Sequence, residues 1–330
     1  MRPIIPKFKY LCDDNEEEMT YFGEIISLIV AVSWTTTALF ASEASHRLGS
    51  MSVNVIRLVA ASLFLSIILW ITIGYPYPAY ADGKTWLYLS LSALVGYIFG
   101  DYCLFNSYIV IGPKIGQLFM TLAPPIAAIA GWILLGEQMR WQSWIAMAVT
   151  ISGIAITIIS KGGGDQKMRL NIPFKGVLLG IGAGLGQGVG LVLSKIGMEY
   201  YQNALPEQTP QLMDTMLPFA STMIRAIIGG LGFVAIIALQ RNIPQFINSL
   251  GDRKGVKYAI YATLFGPVLG VSLSLMAVRY TNAGIASTLM ALTPVLILLP
   301  YSIIYKQKIE LKEAVGASIS MAGVAMFFLL

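Results

Sequence analysis

Long apolar runs, one after another with few charges between them, restrict this chain to one class of fold. Its mean hydropathy is +0.71 and only 12% of its residues are charged, whereas a soluble protein carries about 25%. A transmembrane helix needs about 20 mostly apolar residues, and a helix satisfies its own backbone polar groups inside lipid. The sequence therefore predicts an all-α, multi-pass integral membrane protein of a cell or inner membrane. Its ten predicted transmembrane helices are residues 23–42, 52–74, 85–110, 113–136, 141–160, 174–197, 212–239, 257–280, 282–305 and 310–330.

The ten predicted helices divide into two sets of five. When the second set is aligned on the first, TLAPPI falls on ALTPVL, so that Pro124 meets Pro294. Arg57 and Arg225 occupy corresponding places in the second and seventh predicted helices. Because five is odd, the second set would cross the membrane in the opposite direction, as inverted repeats of transporters do. The predicted division is a polar, acidic tail at 1–18, a first five-helix repeat at 19–160, a glycine-rich linker at 161–173 and a second five-helix repeat at 174–330.

Prolines interrupt the fourth and ninth predicted helices. Proline removes a backbone donor and clashes with the preceding turn, so each of these prolines should free a carbonyl one turn earlier, around Met120 and Met290. Transporters place their substrate sites near the bilayer midplane, beside interrupted helices of this kind. The interruptions therefore predict a central cavity, although kinks that only shape helix packing are an alternative.

Several motifs occur in an order typical of one transporter family. Each five-helix half carries a proline-containing segment, TLAPP in the first and ALTPV in the second. TLAPP is followed by Gly136-Glu137 at the end of its helix and by Ser152-Gly153 in the next, and ALTPV is followed by Ala322-Gly323. Over residues 22–330 the chain resembles the drug/metabolite transporter superfamily, specifically proteins with two EamA domains. The resemblance implies a metabolite exporter with a central cavity between the halves.

The sequence departs from an ideal repeat at the end of the fourth helix. The second half has Lys306-Gln307 where the first has Gly136-Glu137. We therefore assign no functional role to Glu137 and expect it to make a helix-end or interfacial contact.

Three charged residues lie within predicted helices: Asp101, Arg57 and Arg225. A charge at the bilayer centre costs about 2.5–3.5 kcal/mol on insertion scales, which makes such residues functional candidates. At helical spacing Asp101 shares a face with Tyr97 and Tyr108. This set predicts a cavity with anion-binding arginines, a protonatable aspartate and aromatic walls. Two alternatives stay open: Asp101 pairs with an arginine or a backbone amide, or the arginines extend to the interface.

Polar residues on other predicted helices extend this candidate lining, although singly each could equally join two helices. In the fourth and ninth predicted helices, polar residues and the proline share one helical face. The remaining candidate substrate-binding residues are Trp34, Thr37, Gln117, Thr121, Pro124, Gln187, Ser274, Ser287 and Pro294. Glycines spaced four apart in GIGAGLGQGVG lack nucleotide-loop spacing and instead predict two smooth faces for close helix packing.

These features favour a secondary-active transporter, an exporter of a small metabolite such as an amino acid, working by alternating access. We expect no enzyme activity, no cofactor, no metal site and no nucleic-acid partner. The expected partners are a small-molecule substrate, the lipid bilayer and protons as a candidate coupling ion, and a monomer would suffice. The alternatives are an intramembrane enzyme acting on a lipid-like substrate and a membrane scaffold or sensor.

Loop charges give conflicting indications of orientation. Lysine and arginine are concentrated in the loops after the fifth, seventh and ninth helices, and the opposite loops contain mainly Lys84, Arg140, Lys195 and Arg279. The positive-inside rule then places both termini outside. The usual arrangement of the resembled superfamily places them inside, so the orientation stays open.

Overall fold

A computed structural model describes residues 21–160, 173–207, 210–296 and 311–329, and across these ranges the regular elements are helical. Two of them are π-helical segments, named π1 and π2. In chain order the elements are α1 Phe22–Leu48, α2 Ser50–Ile73, α3 Gly83–Ala93, π1 Leu94–Asp101, α4 Tyr102–Met120, α5 Ala123–Leu135, α6 Trp141–Ser160, α7 Phe174–Ala204, α8 Gln211–Leu239, α9 Ile243–Ser249, α10 Arg253–Thr263, π2 Leu264–Val271, α11 Ser272–Tyr280, α12 Ala283–Met290, α13 Thr293–Leu296 and α14 Leu311–Leu329.

Among the described residues, six helical stretches are long and apolar enough to cross a membrane. They are α1, α2, 83–107, α7, α8 and 253–280, and three shorter apolar helices lie at Ala123–Leu135, Trp141–Ile156 and Ala314–Met326. These helices confirm the all-α membrane fold, and the count of ten transmembrane helices stays a prediction. Helices α1 and α7 extend beyond their predicted ends, because no glycine or proline follows those ends until Gly49 and Pro206.

The two prolines begin new helices instead of bending continuous ones. Helix α4 ends at Met120, residues 121–122 form a turn, and Pro124 lies in the first turn of α5. The first turn of a helix needs no intrahelical N–H donor, so proline is favoured there. The same break recurs at the corresponding place in the second half, between Met290 and Thr293. There the Thr293 hydroxyl donates to the Met290 carbonyl at 3.1 Å, which gives that freed carbonyl a partner.

Other local features recur at corresponding places in the two halves. The π1 segment at 94–101 corresponds to π2 at 264–271. Asp82 and Asp252 each cap the following helix, accepting from Thr85 N at 2.7 Å and from Gly255 N at 3.1 Å. The hydrogen bonds from Thr85 hold the pKa of the Asp82 carboxyl below its usual range. The repetition seen in the sequence therefore extends to helix starts, helix breaks and changes of helix type.

The first helix of each predicted half packs on the opposite half. Helix α1 contacts α10, π2, α11 and α12, whereas α7 contacts α3, π1, α4 and α5. The glycines of α7 form the two smooth faces expected: a Cβ atom at residue 186 would lie 2.5 Å from Gly100 Cα, and one at residue 188 would lie 2.8 Å from the Ala123 carbonyl. Helices α6 and α14 form a further close pair, in which a Cβ at Gly153 or Gly323 would overlap the facing helix. The packing thus joins the two halves along several helices.

Candidate functional site

The two arginines occupy corresponding places on helices that pack against each other. Arg57 lies on α2 and Arg225 on α8. They are only 8% and 4% exposed, so their guanidinium groups remain inside the bundle and do not extend to the interface. Each group lies against a glycine of the opposite half: a Cβ at Gly266 in π2 would be 3.5 Å from Arg57 Nη2, and one at Gly96 in π1 would be 3.1 Å from Arg225 Nη2.

Aromatic rings from the third helical stretch cover both guanidinium groups. The Arg225 Cζ atom lies 4.6 Å from the centre of the Tyr97 ring, and the Arg57 Cζ atom lies 5.6 Å from the centre of the Phe105 ring. Cation–π contacts of this kind are stronger where water is excluded. Arg57 also donates from Nη1 to Asn54 Oδ1 at 3.1 Å.

Asp101 completes what we call the arginine cluster, defined as Arg57, Arg225, Asp101, Tyr97 and Gln187. It ends π1 and is 6% exposed, and its Oδ1 accepts a hydrogen bond from Gln187 Nε2 at 2.9 Å. Its charge acts on both guanidinium groups. Yet none of the ion pairs within 4.0 Å among the described residues includes Asp101, Arg57 or Arg225. Asp101 therefore makes no direct ion pair with either arginine in this structure.

Several buried polar atoms of this region lack a hydrogen-bond partner in the described part of the chain. They include the Nε atoms of both arginines, the Tyr97 hydroxyl and Asn54 Nδ2. Leaving such groups buried and unpaired is costly, so native structures keep few of them. With an ionised aspartate the cluster also carries a formal charge of +1. Both properties suit a site that receives a polar ligand.

Trp34 and Thr37 bring α1 to the same region. A Cβ at Gly270 would lie 2.7 Å from the indole Nε1 of Trp34, so only glycine allows this contact with π2. The Thr37 methyl would lie 3.1 Å from a Cβ at Gly266, the glycine that Arg57 also contacts. The structure thus groups Trp34 and Thr37 with the arginine cluster, seven of the predicted site residues in all.

The other predicted residues lie elsewhere or beyond what the structure describes. Thr121 and Pro124 are buried at the break between α4 and α5. The hydroxyls of Ser274 and Ser287 donate within their own stretches, to the carbonyls of residues 271 and 284. The side chains of Tyr108, Gln117 and Pro294 are outside the described part of the chain.

A second charged group, which we call the ion-pair end, fastens the connection between α11 and α12. Lys195 Nζ donates to Glu137 Oε1 at 2.6 Å and to the Thr281 carbonyl at 3.0 Å. Glu137 Oε2 accepts from Ala283 N, at the start of α12, at 3.0 Å. An anion at a helix N-terminus is favourable, so the expected helix-end contact of Glu137 is confirmed.

Two more carboxylates hold the same connection. Arg279 donates to both oxygens of Asp214, at 2.6 and 2.7 Å, and the Thr281 hydroxyl donates to Glu24 at 2.6 Å. These two residues, Asp214 and Glu24, belong to the ion-pair end together with Glu137, Lys195, Arg279 and Thr281.

The sequence analysis did not predict two features of these sites. Counting Lys195 among loop charges was wrong, because it lies within α7 and is 5% exposed. A lysine inside the apolar run GLVLSKIGM was the sequence signal for it. The sequence analysis also missed Asn54 and the glycines beside the arginines, which have no local signature.

Comparisons with known proteins agree with this architecture. Residues 21–159 and 208–329 match the profile of the EamA-like transporter family. One curated relative is the uncharacterized inner membrane transporter YhbE of Escherichia coli (strain K12), 27% identical over 142 residues, or 43% of each protein. Another is the putative permease-like protein YdzE of Bacillus subtilis (strain 168), 39% identical over 46 residues, 14% of this chain and 59% of that protein. The chain thus spans less than two thirds of the length of either relative.

A solved crystal structure has a similar fold across nearly the whole chain. It superposes with a TM-score of 0.65, covering 93% of this chain and 96% of that one, at 16% sequence identity. At this identity the likeness is evidence for the fold alone.

Proposed function

Because the chain belongs to the EamA-like transporter family, we propose that it is a secondary-active transporter that exports a small metabolite, such as an amino acid. The proposed protein lies in an inner membrane, has ten transmembrane helices in two inverted five-helix repeats, and needs no more than one copy of the chain to enclose its pathway. The substrate is taken up in a central cavity between the repeats and released by alternating access. No chemical conversion is part of this proposal, so the protein is not proposed to be an enzyme.

The observation that supports this proposal best is the arginine cluster. Its charges lie deep in apolar helices, where ionisable residues mark substrate and ion pathways. They are contributed by α2, π1 and α8, so both predicted repeats form the cluster. Irregular helix of the π type occurs preferentially at functional sites, and each π segment contacts one of the arginines.

Alternating access requires that one end of the bundle opens while the other closes. The ion-pair end is the candidate for the closed end, because the hydrogen bonds that Lys195 donates and that the carboxylates of Glu24, Glu137 and Asp214 accept meet at the connection between α11 and α12. These bonds would have to separate in the opposite state. Glycines along α7 permit helix movement at the contact with π1, since no side chains interlock at the glycine positions.

Proton coupling is the part of the proposal that concerns Asp101. A buried carboxylate that alternates between a charged and a neutral form can exchange a proton for substrate. We expect Asp101→Asn to remove the pH dependence of transport, measured as flux from proteoliposomes at several external pH values. Unchanged pH dependence in this variant would assign the coupling to another group or to none.

The experiment that tests transport uses purified protein in proteoliposomes loaded with single radiolabelled amino acids. We expect saturable efflux above that of protein-free vesicles for at least one amino acid. Arg57→Gln should reduce this efflux about tenfold or more, because one lost charged contact to a bound ligand corresponds to at least about 1.4 kcal/mol. The exposed Arg140 provides the matched control, since Arg140→Gln removes the same charge outside the cluster.

Two results would contradict the proposal. Efflux equal to that of empty vesicles across all the standard amino acids would reject the proposed substrate class. Equal loss of flux in Arg57→Gln and Arg140→Gln would separate transport from the arginine cluster.

A further inference from the structure

On each arginine of the cluster, one edge of the guanidinium group includes a buried Nε without a hydrogen-bond partner among the described residues. Arg57 uses Nη1 for Asn54, and its Nε has no partner among the described residues. Arg225 stacks on Tyr97, has no hydrogen bond to another described residue, and its Nε is likewise unpartnered. A planar guanidinium edge matches the two oxygens of a carboxylate, which it can bind through two parallel hydrogen bonds. The free edges therefore point to an anionic group on the ligand.

Asp101 limits how much negative charge this site can hold. Two arginines and one ionised aspartate sum to +1, so a single negative charge neutralises the cluster. A second negative charge would exceed this balance and face the ionised Asp101 carboxylate. Like charges placed together inside a low-dielectric site repel strongly.

The two halves differ at the position of Asp101, the residue that limits the negative charge of the ligand. Asp101 ends π1, whereas Val271 ends π2 at the corresponding position. Gln187 orients the Asp101 carboxylate at 2.9 Å, whereas on the other side the indole of Trp34 lies against Gly270. The two sides of the site therefore differ, with an acid on one side and an aromatic ring on the other, which suits a ligand whose two ends differ in polarity.

We propose that the arginine cluster selects small monoanions of the carboxylate type, and that Asp101 is the specificity-determining residue that excludes dianions. This inference rests on the proposed function, because it names the substrate class of the same site. A zwitterionic amino acid is net neutral, but it presents a single carboxylate to the arginines and no second negative charge to Asp101.

The test measures ligand stabilisation of the purified full-length protein in detergent at about pH 8, where the carboxylate probes are ionised. The probes share a four-carbon chain and differ in charge: butan-1-ol is neutral, butyrate is a monoanion and succinate is a dianion. A ligand that binds only the folded protein raises the unfolding temperature with its concentration. We expect half-saturation by butyrate at a concentration about tenfold or more below that of butan-1-ol or succinate, because charge-assisted hydrogen bonds favour butyrate and repulsion disfavours succinate.

Variants then assign the selectivity to named residues. In Asp101→Asn, succinate should bind about tenfold or more tightly than in the wild type, since the repelling charge is removed. In Arg225→Gln the preference of butyrate over butan-1-ol should disappear, and in Arg140→Gln it should persist. If Asp101→Asn does not elute as folded protein, Asp101→Ser replaces it, because serine also removes the charge.

Each outcome separates this inference from the proposed transport. Equal half-saturation by butyrate and butan-1-ol, or succinate binding that Asp101→Asn leaves unchanged, would overturn the inference. Saturable efflux of an amino acid in the vesicle assay, together with equal half-saturation by butyrate and butan-1-ol, would retain transport and reject the selectivity. Selective butyrate binding without efflux of any amino acid would support the selective site and reject the exporter.

Discussion

The arginine cluster and the ion-pair end are two groups of buried charge that the protein treats in opposite ways. Arg225 is 4% exposed and Lys195 is 5% exposed, so burial does not distinguish them. Lys195 has a carboxylate at 2.6 Å and a carbonyl at 3.0 Å. Arg225 has an aromatic ring beneath its guanidinium and an Nε without a partner among the described residues. The difference lies in their partners.

This difference in partners indicates which buried charges stabilise the fold and which are placed to bind a ligand. A buried charge with a fully satisfied partner fixes geometry, and breaking the pair is costly. A buried charge that lacks such a partner keeps part of its desolvation cost, which a bound ligand can offset. The ion-pair end joins four helical stretches at one connection and so fixes their ends. The arginine cluster instead retains unused donors deep in the bundle.

The largest predicted effect breaks the paired group. Lys195→Met leaves the Glu137 carboxylate, whose side chain is 9% exposed, without its cation. Removing one partner of a buried ion pair typically costs about 3–5 kcal/mol. We expect the free energy of unfolding to fall by about this amount, measured by denaturant titration in detergent micelles.

The control for this prediction removes both charges. The double variant Glu137→Gln with Lys195→Met leaves neither member of this pair charged, and the new side-chain amide can still accept from the Ala283 N–H at the start of α12. We expect the double variant to regain at least half of the lost stability, because buried pairs replaced as a unit are often nearly neutral. A double variant as unstable as Lys195→Met alone would show that lost packing, and not the unpaired carboxylate, causes the effect.

A smaller effect, of opposite sign, is expected at the arginine cluster. Arg225→Met removes a guanidinium whose Nε is unpartnered within the described part of the chain and retains a flexible apolar chain that can pack on the Tyr97 ring. We expect the unliganded variant to unfold at the same free energy as the wild type or at one about 1 kcal/mol higher, since an unpaired charge no longer has to be buried.

The same titration in the presence of butyrate provides the second half of this test. The wild type should gain stability with butyrate and Arg225→Met should not. A loss of about 3 kcal/mol in the unliganded variant, comparable to that of a broken buried pair, would show that Arg225 stabilises the fold and would remove the contrast with Lys195.

The sequence predicted the arginine cluster better than the ion-pair end, for a physical reason. Charged residues inside apolar helices are rare enough that Asp101, Arg57 and Arg225 stood out individually, and the structure brings them together. Glu137 and Lys195 lie far apart in the chain, on either side of α6, and nothing in the local sequence of either indicates the other. Their pairing depends on how α7 packs against α5, which only the folded structure contains.

The helix breaks could be predicted from the sequence, whereas the π segments could not. Proline has a local steric effect, so the interruptions near Met120 and Met290 could be predicted, although their form as new helix starts could not. The π2 segment contains Pro267, and it also receives a contact from another helix, because the Ser33 hydroxyl donates to the Phe265 carbonyl at 2.6 Å. Such a distant donor leaves no local pattern. Gly100 and Gly270 lie at corresponding places in the two halves of the sequence but do not indicate the helix type.

The smallest predicted effect tests whether a short ion pair must also be buried to stabilise the fold strongly. Asp214 and Arg279 form a bidentate pair as short as that of Lys195, but the Asp214 side chain is 38% exposed. Solvent around this carboxylate screens the interaction, and exposed ion pairs contribute only about 0.2–1 kcal/mol. Asp214→Asn should therefore lower the free energy of unfolding by no more than about 1 kcal/mol, in the same titration used for Lys195→Met. If its cost instead matched that of Lys195→Met, short pairing distance alone would explain the strength of the ion-pair end. If the cost of Asp214→Asn stays small, the stability of the ion-pair end comes from pairs that are also buried. The arginines of the cluster are buried to the same degree as Lys195 but make no ion pair among the described residues, which makes them the more unusual group.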